Sequence, residues 1–359
     1  MTAAPNPLPE TPASPPGFDV LSDVLRVVRM AGAVFFRADM AGPWAVRSVP
    51  GSELARMLAP SARQLLPFHV VAEGRAWMQL DGAEPIACEA GDIVVLPYAD
   101  LHTLATDLTL PPMPMQVLLA QAMSPGGGVH QVVAGRGDER ARIVCGFLHC
   151  DELLFHPLCR GLPPVIHLRA AEEPPGSLLV SIAKSLVIEA GAVRAGSSCL
   201  LSRLSELVFV EALRRHMARL APEQVGWVAA LNDPLVGRAL QLLHAAPEAP
   251  WTVDELARRA GASRSILADR FRLKVGQPPM QYLAGWRLQL AADLLRDDRR
   301  GIASVAAQVG YESEAAFNRA FKRHAGQPPA TWRAAQRPVA TVRHRRTSSP
   351  ARARASAGT

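Results

Sequence analysis

The sequence has few cysteines, no leader-like N-terminus and no uninterrupted apolar run. Its five cysteines are an odd number spread over 359 residues, which argues against a disulfide framework and for a reducing, cytoplasmic setting. Residues 1–17, MTAAPNPLPETPASPPG, have neither a basic n-region nor an apolar h-region, so they do not read as a secretory signal. The longest stretch without Asp, Glu, Lys or Arg, residues 108–135, is broken by Pro111, Pro112, Pro114, Pro125 and Gly126 to Gly128. It reads as strand, turn and loop, and no membrane partner is expected. The length suits about two domains, and 49% hydrophobic residues can bury a core.

Charge is unevenly placed. Residues 231–359 carry 21 Lys and Arg against 10 Asp and Glu, a surplus of 11, whereas residues 1–230 carry 18 against 22. A basic last third points to a polyanionic partner.

Residues 1–17 and the basic tail 337–359 hold almost no large apolar side chains and read as disordered. From Phe18 to about Arg29 the apolar spacing of DVLSDVLRVVR predicts a short helix. Short apolar or alternating runs follow, AVFFRADM, FHVVAEGRAWMQLDG, IACEAGDIVVLP, MQVLLAQAM and ARIVCGFLHC. Such runs predict an all-β sandwich or barrel over residues 18–170. The period then becomes helical, in 177–189 and 198–220, giving a helical connector over 175–225. Leu200, Leu204, Leu207, Val210, Leu213, Met217 and Leu220 recur every three or four residues. That seam suits both a helix packed on its own barrel and a dimer contact. APEQVG then reads as a linker.

FRLKVGQPP at 271–279 reappears as FKRHAGQPP at 321–329, an offset of 50 residues, and the likeness extends upstream into TVDELARRAGASRSILADRF and IASVAAQVGYESEAAFNRAF. Each copy reads as a helix, a turn at Gly261 or Gly310, and a second helix capped by Ser263 or Ser313. Leu256, Ala257, Ala260, Leu267 and Phe271 are the expected core of one copy; Val305, Ala306, Val309, Phe317 and Phe321 are that of the other. The opposite face of the second helix carries Ser265, Ala268, Asp269 and Arg272, matched by Ala315, Asn318, Arg319 and Lys322. A helix that enters a major groove needs such a polar or small face, and Arg and Asn can pair with G and A edges. The segment 280–296 fits a linking helix of roughly 25 Å at 1.5 Å per residue, near the ~34 Å between successive major-groove turns.

Over about 100 residues this pattern resembles the DNA-binding domain of the AraC/XylS transcriptional regulators. The resemblance implies an all-α domain over 231–336 with two helix-turn-helix units. It puts Arg264, Ser265, Ala268 and Asp269, and Glu314, Ala315, Asn318 and Arg319, at base-facing positions, with Arg272 and Lys322 toward the backbone. The first unit departs from the commoner pattern, having no large polar or aromatic side chain at Ser265 and Ala268.

GDIVVLPYADLH at 91–102 is similar to the second motif of cupin barrels, with FHVVAEGRAWMQLDG in the place of the first. A metal-loaded cupin supplies two His and a Glu from that first motif, but only His69 stands here, with Glu73 four residues on. His69 and His102 are therefore a poor metal site. They are expected as a packed and a rim histidine, or as contacts to a small ligand. Cys145, His149, Cys150, His156 and Cys159 have neither C-x2-C nor H-x3-H spacing, so no zinc site is expected. CGFLHCDELLFHPLCRGLPPVIHL resembles the segment that closes the cupin-like sensor domain in one subgroup of AraC-type regulators.

The expectation is a multidomain bacterial regulator, a cupin-like all-β sensor followed by an all-α double helix-turn-helix domain. It would bind double-stranded promoter DNA as a homodimer, without cofactor or catalytic residues, in the cytoplasm at the nucleoid. A small-molecule effector and, for an activator, RNA polymerase are the further partners implied. The rival readings are a cupin-type metal-dependent oxygenase or isomerase with an accessory DNA-binding domain, and a nucleic-acid binder without sequence preference.

Overall fold

The computed structural model describes residues 18–27, 30–58, 64–122, 129–150, 161–174, 176–192, 194–297 and 299–336. The two tails read as disordered, and His156 and Cys159 of the Cys/His run, lie outside them.

The strands in chain order are β1 (Met30–Ala41), β2 (Ala45–Arg47), β3 (Gln64–Glu73), β4 (Arg75–Leu80), β5 (Ile86–Glu89), β6 (Ile93–Val95), β7 (His102–Ala105), β8 (Met113–Pro114), β9 (Val129–Gly135), β10 (Arg140–Cys150) and β11 (Ile166–Leu168). They form a six-stranded sheet, β11-β6-β3-β10-β1-β9, and a five-stranded sheet, β5-β4-β7-β2-β8. Residues of both sheets share two apolar clusters, one around Phe36, Met40, Ile143 and Phe147, the other around Val71, Met78 and Val94. The two sheets thus make a sandwich. Period-2 alternation also loads the far face of the larger sheet: Phe35, Leu66, Phe68, Val144 and Leu148 point away from the sandwich interior into a separate cluster. Gly146 on β10 is required by close approach, because a Cβ there would lie 2.2 Å from the Phe68 ring.

The helices preceding the connector are α1 (Val20–Val27), α2 (Gly51–Leu58) and α3 (Met115–Ala122). The last corrects the strand expected from MQVLLAQAM. Its Met, Gln, Leu and Ala are good helix formers with only one β-branched residue, and short apolar runs do not distinguish the two periods. The connector is α4 (Leu178–Gly191), capped by Ser177, and α5 (Ser197–Ala218). Both cover the far face of the larger sheet through Leu179, Ile182, Leu186, Leu201, Leu204 and Val208. The expected leucine seam is divided: Leu204 and Leu213 are buried within the chain, whereas Leu200 and Leu207 are exposed.

The C-terminal part holds α6 (Trp227–Asn232), α7 (Pro234–Ala245), α8 (Val253–Ala260), α9 (Arg264–Val275), α10 (Pro279–Leu295), α11 (Ile302–Gln308), α12 (Glu314–Ala325) and α13 (Pro329–Ala335). Each copy of GQPP stops one helix and starts the next: Gly276 and Gly326 are left-handed, and Pro279 and Pro329 open α10 and α13.

α1 packs on this helical part as well as leading into β1. Val20, Val24 and Val27 join the cluster that contains Leu240 and Trp286. Asp23 Oδ2 lies 2.8 Å from His244 Nδ1, His244 Nε2 lies 2.7 Å from the Tyr282 hydroxyl, and Trp227 Nε1 donates to that hydroxyl at 2.8 Å. Burial pushes the His244 pKa down against the opposing pull of Asp23. The buried chain of four side chains ties α1, α6, α7 and α10 together.

Candidate nucleic-acid interface

The two repeats fold alike. Thr252 caps α8 by accepting from Glu255 N, and the left-handed Gly261 ends that helix. Ser263 and Ser313 then cap α9 and α12, accepting from Ile266 N at 3.4 Å and Ala316 N at 3.2 Å. Every core residue expected in either copy is buried, with Leu267, Phe271, Phe317 and Phe321 fully so.

The outward faces are equally regular. Ser265, Asp269 and Arg272 on α9 are exposed and Ala268 is half-buried; on α12, Ala315, Arg319 and Lys322 are exposed and Asn318 is half-buried. The first residues of each helix, Arg264 and Glu314, and the caps Ser263 and Ser313 are exposed too. All twelve positions therefore lie on or beside the solvent-facing surfaces of α9 and α12.

The two surfaces differ in which charges are free. Arg264 pairs with Asp254 at 3.4 Å, and Arg270 pairs with Asp233 at 2.9 Å. Lys274 is buried and donates to the carbonyls of Pro222 and Gln224. That leaves Arg272 as the one cation of α9 whose side chain has no hydrogen bond or ion pair among the described residues. On α12 the side chains of Arg319, Lys322 and Arg323 all lack such partners among the described residues. Arg323 was missed in the sequence, although it stands next to Lys322. Two large aliphatic side chains, Ile266 at 58% and Leu273 at 66% exposure, flank the polar face of α9, where the repeat places Ala316 and Arg323 on α12. Glu255 on α8 takes both Arg258 and Arg259, and these guanidiniums bring its pKa down to about 2.

The Cupin family profile matches residues 19–218 and the Helix-turn-helix domain profile residues 256–335. An AraC-like transcription regulator of Streptomyces lividans is 36% identical over 321 residues, covering 88% of this chain and 98% of the relative. The HTH-type transcriptional regulator AlkR of Acinetobacter baylyi is 29% identical over 317 residues, 88% of this chain and 99% of its own. The solved DNA-binding domain of AdpA in complex with a target DNA shares 33% identity over 29% of this chain and 92% of that one, with a TM-score of 0.28.

The chain belongs to the AraC-like transcription regulators. It has that family's two-part layout, a cupin β-region followed by a helix-turn-helix region, and its work is DNA-binding regulation rather than cupin enzyme chemistry.

In this AraC-like chain the two cupin histidines meet across the sandwich. His69 stands on β3 opposite Cys145 of β10, and His102 on β7 opposite Leu80 of β4. His69 Nδ1 lies 3.0 Å from Cys145 Sγ and its Nε2 lies 3.0 Å from His102 Nε2; His102 Nδ1 lies 2.8 Å from the Asp100 carbonyl. A carbonyl only accepts, so His102 carries its proton on Nδ1. Its Nε2 then accepts from His69 Nε2–H, and His69 Nδ1 accepts from the Cys145 thiol. Burial pushes the pKa of both imidazoles down, which favours their neutral forms, and pushes the thiol up to about 12. His102 is buried, which corrects the expectation of a rim histidine: its hydrogen bonds turn it inward.

The three groups form a line rather than converging, since His69 turns its two nitrogens to different partners. Glu73 is engaged elsewhere, with Arg142. Among the described residues, no group of three or more His, Cys, Asp or Glu could hold a metal ion. Beside the line lies an apolar cavity of about 70 Å³, lined by Phe36, Trp44, His69, Leu118, Cys145 and Phe147 among others. His102 is not part of its wall. Trp44 is buried and its Nε1–H has no acceptor among the described residues. No described helix is long and apolar enough to cross a membrane.

Proposed function

We propose that one chain lays α9 and α12 into successive major grooves on one face of a promoter duplex, with α12 as the stronger anchor. The observation that carries this reading is the free cation set of α12, Arg319, Lys322 and Arg323, on a helix whose inner face is fully committed to the core. Arg319 and Asn318 are the base readers of the second unit, with Glu314 and Ala315 beside them; Ser263 and Ser313 bring the helix starts to the backbone. Arg272 and Lys322 reach phosphates. The linking helix α10 runs over 17 residues, roughly 25 Å, which suits neighbouring grooves. The setting is the bacterial cytoplasm, at the nucleoid.

The apolar cavity supports modulation by a small molecule that enters the sandwich beside His69. Leu200 and Leu207 on α5 and Ile188 on α4 are exposed apolar side chains that a homodimer contact would cover. As an activator the chain would also meet RNA polymerase. The test is fluorescence anisotropy of the full chain on its own upstream region and on random duplex. The reading expects a clear preference that Arg319→Ala reduces; equal binding to both duplexes would defeat it.

A further inference from the structure

We infer that Asp269 reads a cytosine, so that the two units of one chain recognise bases of opposite hydrogen-bonding character. This rests on the two-groove reading above. Asp269 is the sixth residue of α9 and Arg319 the sixth of α12, and the 50-residue repeat makes them equivalent. Both are exposed. The repeat has therefore put a carboxylate where its other copy has a guanidinium.

Asp269 makes no ion pair or hydrogen bond among the described residues, although Arg264 and Arg270 on the same helix each find an acid. Asp269 shares its exposed helix face with Ser265, four residues before it, and Arg272, three after it, with the small Ala268 next to it. That short face lets α9 lie deep enough for a two-carbon side chain to reach a base edge.

Charge decides what it can meet there. Phosphates repel it. Guanine offers O6 and N7, and thymine offers O4, all acceptors; the donors in the major groove are adenine N6 and cytosine N4. In an A·T pair the N6 donor lies between the N7 and O4 acceptors, whereas in a C·G pair the N4 donor has acceptors on one side only. Cytosine is thus the base a lone carboxylate tolerates best. Arg319, at the equivalent place, suits guanine O6 and N7. The same negative charge weakens binding to DNA in general, so Asp269 trades affinity for selectivity.

Selection from a randomised duplex by the full chain, alongside D269N, D269A and R319A, tests the inference. Positions whose preference changes in R319A mark the site of the second unit. The wild type should select cytosine at a position about 10 base pairs away, discriminating about five- to tenfold against the other bases. D269N should move that preference to adenine, which an amide matches, and D269A should abolish it. Both should leave the R319A-sensitive positions unchanged, which also certifies folding, and both should bind random DNA more tightly than the wild type. If the R319A-sensitive positions persist but no distant cytosine is selected, or the D269 variants do not alter it, Asp269 reads no base and the inference falls. If the wild type selects no sequence, the two-groove reading falls and takes this inference with it.

Discussion

Phe271 and Phe321 occupy the same setting in their two units, each fully buried behind a serine-capped helix, whereas Asp269 and Arg319, two residues before them, carry opposite charges. The inner face is constrained by packing at close to crystal density, so the repeat preserves Leu or Phe, Ala and Phe there. The outer face is largely exposed among the described residues, and its composition differs between the two copies. In α9 two of the cations serve the fold, while Arg272 stays unpaired among the described residues: Arg270 holds Asp233, which caps α7, and Lys274 fastens the segment before α6. In α12, Arg319, Lys322 and Arg323 have no ion pair or hydrogen bond among the described residues. In the proposed two-groove binding the two copies of one motif would thus take unequal shares of DNA contact.

The largest effect should fall on what the units have in common. Phe271→Ala and Phe321→Ala should each destabilise the helical part by about 3–5 kcal/mol, read as similar shifts in denaturant midpoint. A cost in one unit several times that in the other would break the equivalence of the cores.

Next comes the outer face. Arg319→Ala should weaken specific binding by about 1–3 kcal/mol and relax sequence preference, whereas Ser265→Ala should change it by well under 1 kcal/mol, as expected of a short side chain with a weak contact. Anisotropy titrations on one operator compare the two. Equal losses would mean that the units share base readout evenly.

Smaller and graded is the salt response. Replacing Lys322 and Arg323 together should flatten the slope of log K against log salt by up to about 1.8, at roughly 0.9 per phosphate contact, and Arg272→Ala by up to about 0.9. A larger change from Arg272 alone would reverse the assignment of the anchor.

The smallest effect separates the helices that precede the readers. Glu255 on α8 has its pKa lowered to about 2 by Arg258 and Arg259, and α11 holds no acid in its sequence IASVAAQ. A group depressed in the folded state stabilises it above the unfolded pKa, about 4.5, and that contribution fades as pH falls toward 2. An NMR titration should find the Glu255 carboxyl still ionised at pH 3; a midpoint near 4.5 would mean that the arginine pairs do not persist in solution.

The repeat was legible in the sequence because its buried residues recur at fixed spacing, and so were the capping serines and the Gly-Gln-Pro-Pro stops. Most strands were legible from alternation. Helix α2, strands β2, β8, β9 and β11, the inward turn of His102 and the cation Arg323 were not, nor were four larger features. MQVLLAQAM has no period that separates strand from helix, and it became α3. The place of α1 depends on Asp23 meeting His244, 221 residues away, which no local pattern encodes. The leucine seam of α5 gave the right period but not which side of the helix is covered, so Leu200 and Leu207 parted from Leu204 and Leu213. Finally, the charge surplus of the last third counted Arg264, Arg270 and Lys274 as though they were free. Only their partners reveal that they are not, and the proposed inequality of the units rests on that distinction.

Hydroxyl-radical footprinting of the full chain on a selected site tests two-groove binding with unequal anchors most directly. One chain should protect two backbone windows on one face of the duplex, about 10 base pairs apart, and raising the salt should erase the window of the first unit before that of the second. A single protected window at low salt, or loss of the α12 window first, would contradict it.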